Sequence, residues 1–198
     1  MKLTSWLPYM TSRILAPLAS DRKPRRGRRY GSTRPNGESL ETRTLLSAVT
    51  WVGGTSLGGD LNWNNSANWN YENGLAGTPA TGDDVTIGDL GGVTITVSGT
   101  AVTINSLHTS GAIDVSGTSF SLAANSTSSV NSTLRIDDGG SLNLNGATIN
   151  GTGPLINAAG STLDLTSDTI NTSLENYGTL VVRWDVRING TLTTGPGS

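Results

Sequence analysis

The chain has 198 residues, no cysteine and a formal net charge of −2, from 13 basic and 15 acidic residues. Residues 1–48 hold ten of the basic and three of the acidic residues, whereas residues 49–198 hold three and twelve. The lack of cysteine excludes disulfide frameworks, cysteine zinc sites and thiol catalysis. The acidic body argues against nucleic-acid partners. No run reaches the ~20 apolar residues that span a bilayer as a helix, so no transmembrane segment is expected.

Residues 1–48 have the layout of an export leader or signal region. The apolar stretch Leu3–Ala19 is interrupted by two prolines and one arginine, which makes it a weak secretory core. A basic block over residues 22–29 follows, and the small residues Ser47 and Ala48 lie at the junction with the acidic body. We predict a disordered or partly helical leader, processing at Ser47 and Ala48 with cleavage after Ala48, and an extracellular or cell-surface location.

A short motif at the end of the leader supports export. Residues 40–48 read Leu-Glu-Thr-Arg-Thr-Leu-Leu-Ser-Ala behind an Arg-rich tract. This pattern resembles the N-terminal signature of large secreted planctomycete proteins, which place a Leu-Glu-x-Arg-x-Leu-Leu-Ser motif just before the mature region. The resemblance covers residues 20–48 and implies export but no activity. The alternative is an amphipathic N-terminal helix, which Leu40–Leu46 could form locally.

Residues 49–82 are rich in Trp, Asn and Gly, and we predict that they form an N-terminal cap. Their Thr-Trp-x-Gly-Gly and Trp-Asn-x-x-x-Asn-Trp patterns resemble the opening of autotransporter-like and adhesin-like β-solenoid passenger regions, which precedes strand-rich repeats. We expect Trp51, Trp63 and Trp69 to form a lid over the first coil. The alternative is a carbohydrate-binding module, in which Trp63, Trp69 and Tyr71 stack on sugars while neighbouring Asn and Asp bond the hydroxyls.

The remainder, residues 83–198, reads as short strands separated by turns. Apolar and polar residues alternate in segments such as Val93–Val97 and Leu163–Leu165, with Gly, Asn, Asp and Ser between them. Gly, Thr, Ser and Asn make up more than half of residues 49–198, so large apolar side chains are too few for an ordinary two-layer core. Disorder is the competing interpretation, and the regular alternation argues against it. The prediction is an all-β fold.

A repeat of 17–21 residues underlies these strands. The motif Thr-Ile-Asn occurs at residues 148–150 and 169–171, and also at 103–105. Asn157 recurs as Asn176, 19 residues later. Stacked coils typically differ in length by a few residues, because their turns vary in length. We predict a β-solenoid, a right-handed parallel β-helix of five or six coils, with a β-sandwich as the alternative.

Strands of successive coils should lie ~4.8 Å apart, which has two consequences. Asn157 and Asn176 should form an internal amide ladder. The solenoid ends should expose unpaired backbone groups, which predicts self-association through them. The abrupt C-terminal end suggests a fragment of a longer passenger or an assembly unit.

No catalytic constellation is evident, and we expect no enzyme activity. Four aspartates, spaced 23, 27 and 21 residues apart, could gather on one face as in β-helix polysaccharide lyases or hydrolases: Asp114, Asp137, Asp164 and Asp185. Turns and solvated faces are, however, the usual places for such residues. His108 is the single histidine, and no Gly-x-Ser-x-Gly motif accompanies it. We expect no cofactor or metal. The alternative is calcium, held by turns that contain Asp and Asn.

The sequence therefore favours a secreted, non-enzymatic β-solenoid that is adhesin-like or a structural component of the cell envelope. Its expected partners are extracellular polysaccharide or envelope components, and other copies of itself. The carbohydrate-binding module and a β-helix polysaccharide lyase or hydrolase remain the alternatives.

Overall fold

The computed structural model describes residues 47–53, 60–72, 74 and 77–195. These residues belong to one compact unit, Thr42–Ser198. Their regular structure comprises 19 β-strands and one short 3₁₀ helix, Ser66–Asn68, so the prediction of an all-β fold is confirmed. The leader up to residue 46 lies outside the described residues. No helix in the described part of the chain is long and apolar enough to cross a membrane.

The strands form coils, and each complete coil contributes one strand to each of three sheets. Two strands precede the coils: β1 (Ser47–Trp51) and β2 (Trp69–Tyr71). The five complete coils consist of β3 (Asp83–Ile87), β4 (Thr94–Ser98) and β5 (Val102–Ile104); β6 (Ser106–Thr109), β7 (Ala112–Ser116) and β8 (Ser119–Leu122); β9 (Thr127–Val130), β10 (Leu134–Asp137) and β11 (Ser141–Asn143); β12 (Thr148–Asn150), β13 (Leu155–Asn157) and β14 (Thr162–Thr166); and β15 (Thr169–Ile170), β16 (Leu174–Asn176) and β17 (Thr179–Arg183). A sixth coil begins with β18 (Arg187–Ile188) and β19 (Leu192–Thr194).

Strands of successive coils pair in parallel. The first sheet contains β1 and β2 followed by β3, β6, β9, β12, β15 and β18; the second runs from β4 to β19; and the third runs from β5 to β17. Between successive coils, the offset between paired residues ranges from 17, as between Thr162 and Thr179, to 22, as between Ser119 and Ser141. The predicted β-solenoid is therefore confirmed, and the alternative of two facing sheets in a β-sandwich is wrong.

The repeat motifs match the strand register in two of three cases. Residues 148–149 pair with 169–170 in the first sheet, and residues 155–157 pair with 174–176 in the second. The third case is wrong, because the motif at residues 103–105 begins in β5 of the third sheet. A Thr-Ile-Asn triplet suits any strand that buries its central side chain, so the motif does not distinguish one sheet from another.

The core consists of aliphatic rows that run along the solenoid. In the second sheet one row places a nearly inaccessible side chain on each of five successive strands: Ile95, Ile113, Leu134, Leu155 and Leu174. Alternation along each short strand turns these residues inward and their polar neighbours outward. Burial of each such side chain contributes about 1.5–3 kcal/mol. The rows therefore hold neighbouring coils together without large aromatic residues.

A buried amide ladder accompanies the aliphatic rows, as predicted. The Asn157 side-chain amide donates to Asn176 Oδ1 at 2.7 Å and to the Thr179 carbonyl at 2.9 Å. Asn176 in turn donates to the Gly178 carbonyl at 3.1 Å. Both asparagines are almost completely buried. The ladder thus ties two coils together at the corner between the second and third sheets.

The corner between the first and second sheets requires glycine. Gly151 adopts a φ of +125°, a region that side-chain-bearing residues rarely enter. A Cβ at this position would overlap the Val130 carbonyl oxygen in the coil below. Close stacking of two turns therefore depends on the missing side chain.

An aromatic cluster covers the N-terminal end of the coils. The Trp51 and Trp69 rings meet edge to face at 4.9 Å, and Trp63 lies 4.6 Å from Trp69 and 5.4 Å from Phe120. The backbone N–H of Trp63 donates to the Thr96 carbonyl in β4 at 2.9 Å. In the first sheet, β1 pairs in parallel with β3 and antiparallel with β2. These contacts agree with the predicted lid.

We predict that Trp63→Ala lowers the free energy of unfolding by about 3–5 kcal/mol, because it empties the centre of the lid. Urea denaturation followed by circular dichroism measures the change. Trp184→Ala is the matched control, since Trp184 is 81% exposed, and it should change stability by less than ~0.5 kcal/mol. Equal midpoints for Trp63→Ala and the wild type would disprove the lid.

A second prediction concerns the buried amide ladder. Asn157→Ala should lower the free energy of unfolding by about 2–3 kcal/mol, because it leaves buried acceptors on Asn176 and Thr179 without their donor. Asn171→Ala is the control: its amide donates to Asn150 Oδ1 at 2.7 Å, but on an exposed face. If the two variants unfold at the same denaturant concentration, the internal ladder does not stabilise the coils.

Candidate functional site

The outer face of the second sheet carries a groove of about 400 Å³. This volume lies in the range of pockets that hold small organic ligands. The groove crosses β4, β7 and β10 and is lined by Thr94, Thr96, Ala112, Ile113, Asp114, Thr133 and Arg135.

The strand register explains the shape of the groove. Thr96 pairs with Asp114, and Asp114 pairs with Arg135, so these outward side chains form one column across three coils. Residues two positions earlier on each strand face the same way, and there Thr94 pairs with Ala112. Ala112 has the shortest side chain of the groove, so it leaves a recess beside Asp114.

Asp114 is the distinctive group in this groove. Its Oδ1 atom is buried and has no hydrogen-bond partner among the described residues. Burial raises the pKa of the Asp114 carboxyl, and the nearby charge of Asp137 raises it further, while Arg135 lowers it. A buried carboxylate oxygen without a donor is unfavourable for folding, so this position is a candidate for ligand contact.

Arg135 forms no ion pair with Asp114, because its guanidinium is bonded to Asp137. Its Nε and Nη2 atoms both lie 2.8 Å from Asp137 Oδ2, on the same strand. Hydrogen bonds from Arg135 and from the Asp138 backbone lower the pKa of the Asp137 carboxyl. The groove therefore contains one unpaired carboxylate, that of Asp114, beside three threonine hydroxyls.

The structure brings together two of the four aspartates considered from the sequence. Asp114 and Asp137 lie on neighbouring strands of the second sheet. Asp164 lies in β14 of the third sheet, where Arg183 bonds its carboxylate. Asp185 is exposed between β17 and β18. The expectation that such residues occupy turns and solvated faces holds for Asp185, whereas Asp114 is half-buried.

The aromatic residues considered as a sugar platform are buried. Trp63 is fully inaccessible, and Trp69 and Tyr71 are 5% and 8% exposed. The Trp69 Nε1–H donates to the Trp63 carbonyl at 2.7 Å, and Tyr71 donates to Asp83 at 3.0 Å. Burial, with a smaller effect of Asp83, raises the pKa of Tyr71 to about 12. The geometry therefore corrects the ligand-binding hypothesis for Trp63, Trp69 and Tyr71, since no ring face is open to a sugar.

The residues expected at the processing site lie in a strand. Ser47 and Ala48 begin β1, where they pair with Asp83 and Asp84 of β3. Cleavage after Ala48 would remove both pairs from the first sheet. Strand β1 therefore includes Ser47 and Ala48, the last two residues of the predicted leader.

His108 lies on the outer face of the first sheet, away from the groove. Its Nδ1 atom is 3.0 Å from Ser129 Oγ, and the ring is exposed. Among the described residues, no three His, Cys, Asp or Glu side chains form a group that could hold a metal ion.

Sequence reasoning missed three informative side chains. One is Asp114 as an unpaired group, because its environment depends on strands about 20 residues away. Another is Asp168, which is fully buried and accepts 2.6 Å hydrogen bonds from the Ala147 and Thr166 N–H groups. Burial raises the pKa of Asp168 despite these donors. The third is Trp184, an exposed indole at a residue with a φ of +63°.

Compared with family models, with curated proteins and with solved structures, the chain matches none of them. The class of the protein is therefore defined by its fold, a β-solenoid of parallel coils.

We predict that Asp114→Asn stabilises the protein at neutral pH. The folded-state pKa of Asp114 is raised, so its contribution to stability is greatest below the unfolded-state pKa and is lost as pH rises through the folded-state pKa. Asparagine keeps the shape and removes the charge. The unfolding midpoint of the variant should exceed that of the wild type at neutral pH and equal it in acid.

The exposed variant Asp185→Asn is the control, and it should change the midpoint little at either pH. A neutral-pH midpoint of Asp114→Asn below that of the wild type would show that the carboxylate stabilises the fold.

Proposed function

We propose that this protein is an exported, non-enzymatic β-solenoid that serves as a structural or adhesin-like component of the cell surface or envelope. The observation that carries the proposal is the mutual bonding of outward side chains between coils. Such bonding favours a rigid rod with a repeated polar surface over a mobile catalytic cleft.

The outward amide row of the first sheet is the clearest example. Asn171 donates to Asn150 Oδ1 at 2.7 Å, and Asn189 donates to Asn171 Oδ1 at 2.8 Å. These bonds link three successive coils on an exposed face. They add to the backbone ladders and hold the surface side chains in place.

The third sheet carries bonds of the same kind. The Asn143 amide donates to Ser119 Oγ at 2.7 Å in the preceding coil. Two coils further on, Arg183 of β17 bonds the Asp164 carboxylate of β14. Outer faces built this way present a regular pattern of hydroxyl, amide and charged groups, as an adhesive or scaffolding surface requires. The basic leader and its Leu-Glu-x-Arg-x-Leu-Leu-Ser motif support export of this rod.

One observation favours a second candidate, a β-helix polysaccharide hydrolase. The pKa of Asp114 is raised and that of Asp137 is lowered, and glycosidases use carboxylates whose pKa values differ in this way. The firm pairing of Asp137 with Arg135 counts against it, because a nucleophile or base needs access to its substrate.

We predict that the full chain, expressed in a planctomycete host, is recovered from the medium or the envelope fraction. The control replaces Leu45 and Leu46 with alanine, which removes the apolar part of the motif, and it should stay in the cytoplasm. N-terminal sequencing of the exported chain locates the cleavage point. Recovery of the unaltered chain in the cytoplasm would refute the proposed location.

The non-enzymatic role is tested on the same purified protein. Incubation with a panel of polysaccharides should release neither new reducing ends nor unsaturated products. Release of products by the wild type that Asp114→Asn abolishes would establish the hydrolase instead.

A further inference from the structure

We propose that the groove on the second sheet binds the ammonium group of an amino sugar, so that the protein recognises a cationic polysaccharide. The observations that carry this proposal are the unpartnered Asp114 oxygen, the local charge and the hydroxyl lining. Binding of such a polysaccharide would fit the proposed role at the cell surface. The chemistry of the site, however, does not depend on export or on a structural role of the protein.

The first step concerns the missing donor. Asp114 Oδ1 is buried without a hydrogen-bond partner among the described residues, and the half-buried Asp114 side chain that carries it lines the groove. An ammonium group offers three N–H donors and a positive charge. Charge-assisted hydrogen bonds of this type are about twice as strong as neutral ones. A ligand ammonium on the groove side of this carboxylate would therefore supply the counter-charge that the fold leaves out.

The second step concerns the sign of the charge. Three carboxylates, those of Asp114, Asp137 and Asp138, act on this region, and Asp137 and Asp138 both raise the pKa of Asp114. One cation, Arg135, opposes them, and it is bound to Asp137. The groove therefore favours a cationic ligand over an anionic or neutral one. The excess of acidic over basic residues in residues 49–198 also attracts a cationic polymer.

The third step selects a sugar over a lysine side chain. The lining carries three hydroxyls, from Thr94, Thr96 and Thr133, and one outward apolar side chain, Ala112. A lysine side chain would need an apolar wall for its four methylene groups. A pyranose ring with one amine matches the hydroxyls through its own hydroxyls, and the recess at Ala112 gives the ring room beside Asp114.

The test uses two oligosaccharides that differ in one group. A glucosamine tetramer and its fully N-acetylated counterpart are titrated into the full chain by isothermal calorimetry. We expect saturable binding of the glucosamine tetramer that weakens with added salt, and no saturable binding of the acetylated tetramer. Equal binding of both would overturn the proposal.

Three variants locate the site. Asp114→Asn should weaken binding at least ~10-fold, as loss of a charge-assisted bond predicts, and Ala112→Leu should do the same by filling the recess. Glu175→Gln removes the same charge from the same outward column, about 14 Å away at ~4.8 Å per strand, and should weaken binding less than ~3-fold. Circular dichroism verifies that each variant is folded.

Each remaining outcome is decisive. Wild-type affinity in the folded Asp114→Asn variant, or an equal loss in Glu175→Gln, would show that binding reflects net charge alone and would refute the site. Binding of tetralysine as tight as that of the glucosamine tetramer would refute the selection of a sugar. A flat titration would also refute the site, whereas the proposed surface role is judged by fractionation and product assays.

Discussion

Stacking of one coil on the next is the constraint on which the rest of this structure depends. A three- to five-residue strand is too short to be stable alone, and its inward side chain is buried only when neighbours lie above and below. The row from Ile95 to Leu174 shows this, because every member is nearly inaccessible and is paired in register with the next. Cohesion therefore arises between coils rather than within them. A chain rich in Gly, Ser, Thr and Asn can fold under this constraint because each strand needs few apolar atoms.

Differences in length between successive coils are confined to the turns. Paired residues are separated by 17 to 22 positions, yet the inward rows stay aligned because the turns absorb the difference. Several turn residues adopt a positive φ, including Asn125, Asp138 and Ser167. Asparagine and aspartate tolerate this region better than most residues. The polar composition thus serves the turns, while the outward rows use the same residue types for bonds between coils.

The repeating strands could be predicted well from the sequence, whereas the surroundings of single side chains could not. The pairing of residues 155–157 with 174–176 follows from spacing, because residues that repeat along the chain must stack. The assignment of residues 103–105 failed, since a period of two residues shows which side chains point inward but not which of three sheets a strand joins. The burial of Trp63 follows from the scarcity of large apolar side chains. The isolation of the Asp114 oxygen could not be foreseen, because it results from the pairing of Arg135 with Asp137 one coil away.

The antiparallel strand β2 distinguishes the N-terminal side of the stack from the coils that follow it. At the N-terminal side the reversed strand β2 covers the edge of the first sheet, and the Trp51, Trp63 and Trp69 rings pack against one another and against Phe120. Toward β19 the side chains become progressively more solvated, and all three residues of that strand are exposed. In a quasi-one-dimensional array, local opening starts where the nearest-neighbour terms are weakest. At the N-terminal side, opening requires the rings of Trp51, Trp63 and Trp69 to separate, so the amide protons of β1 and β2 should exchange slowly with solvent.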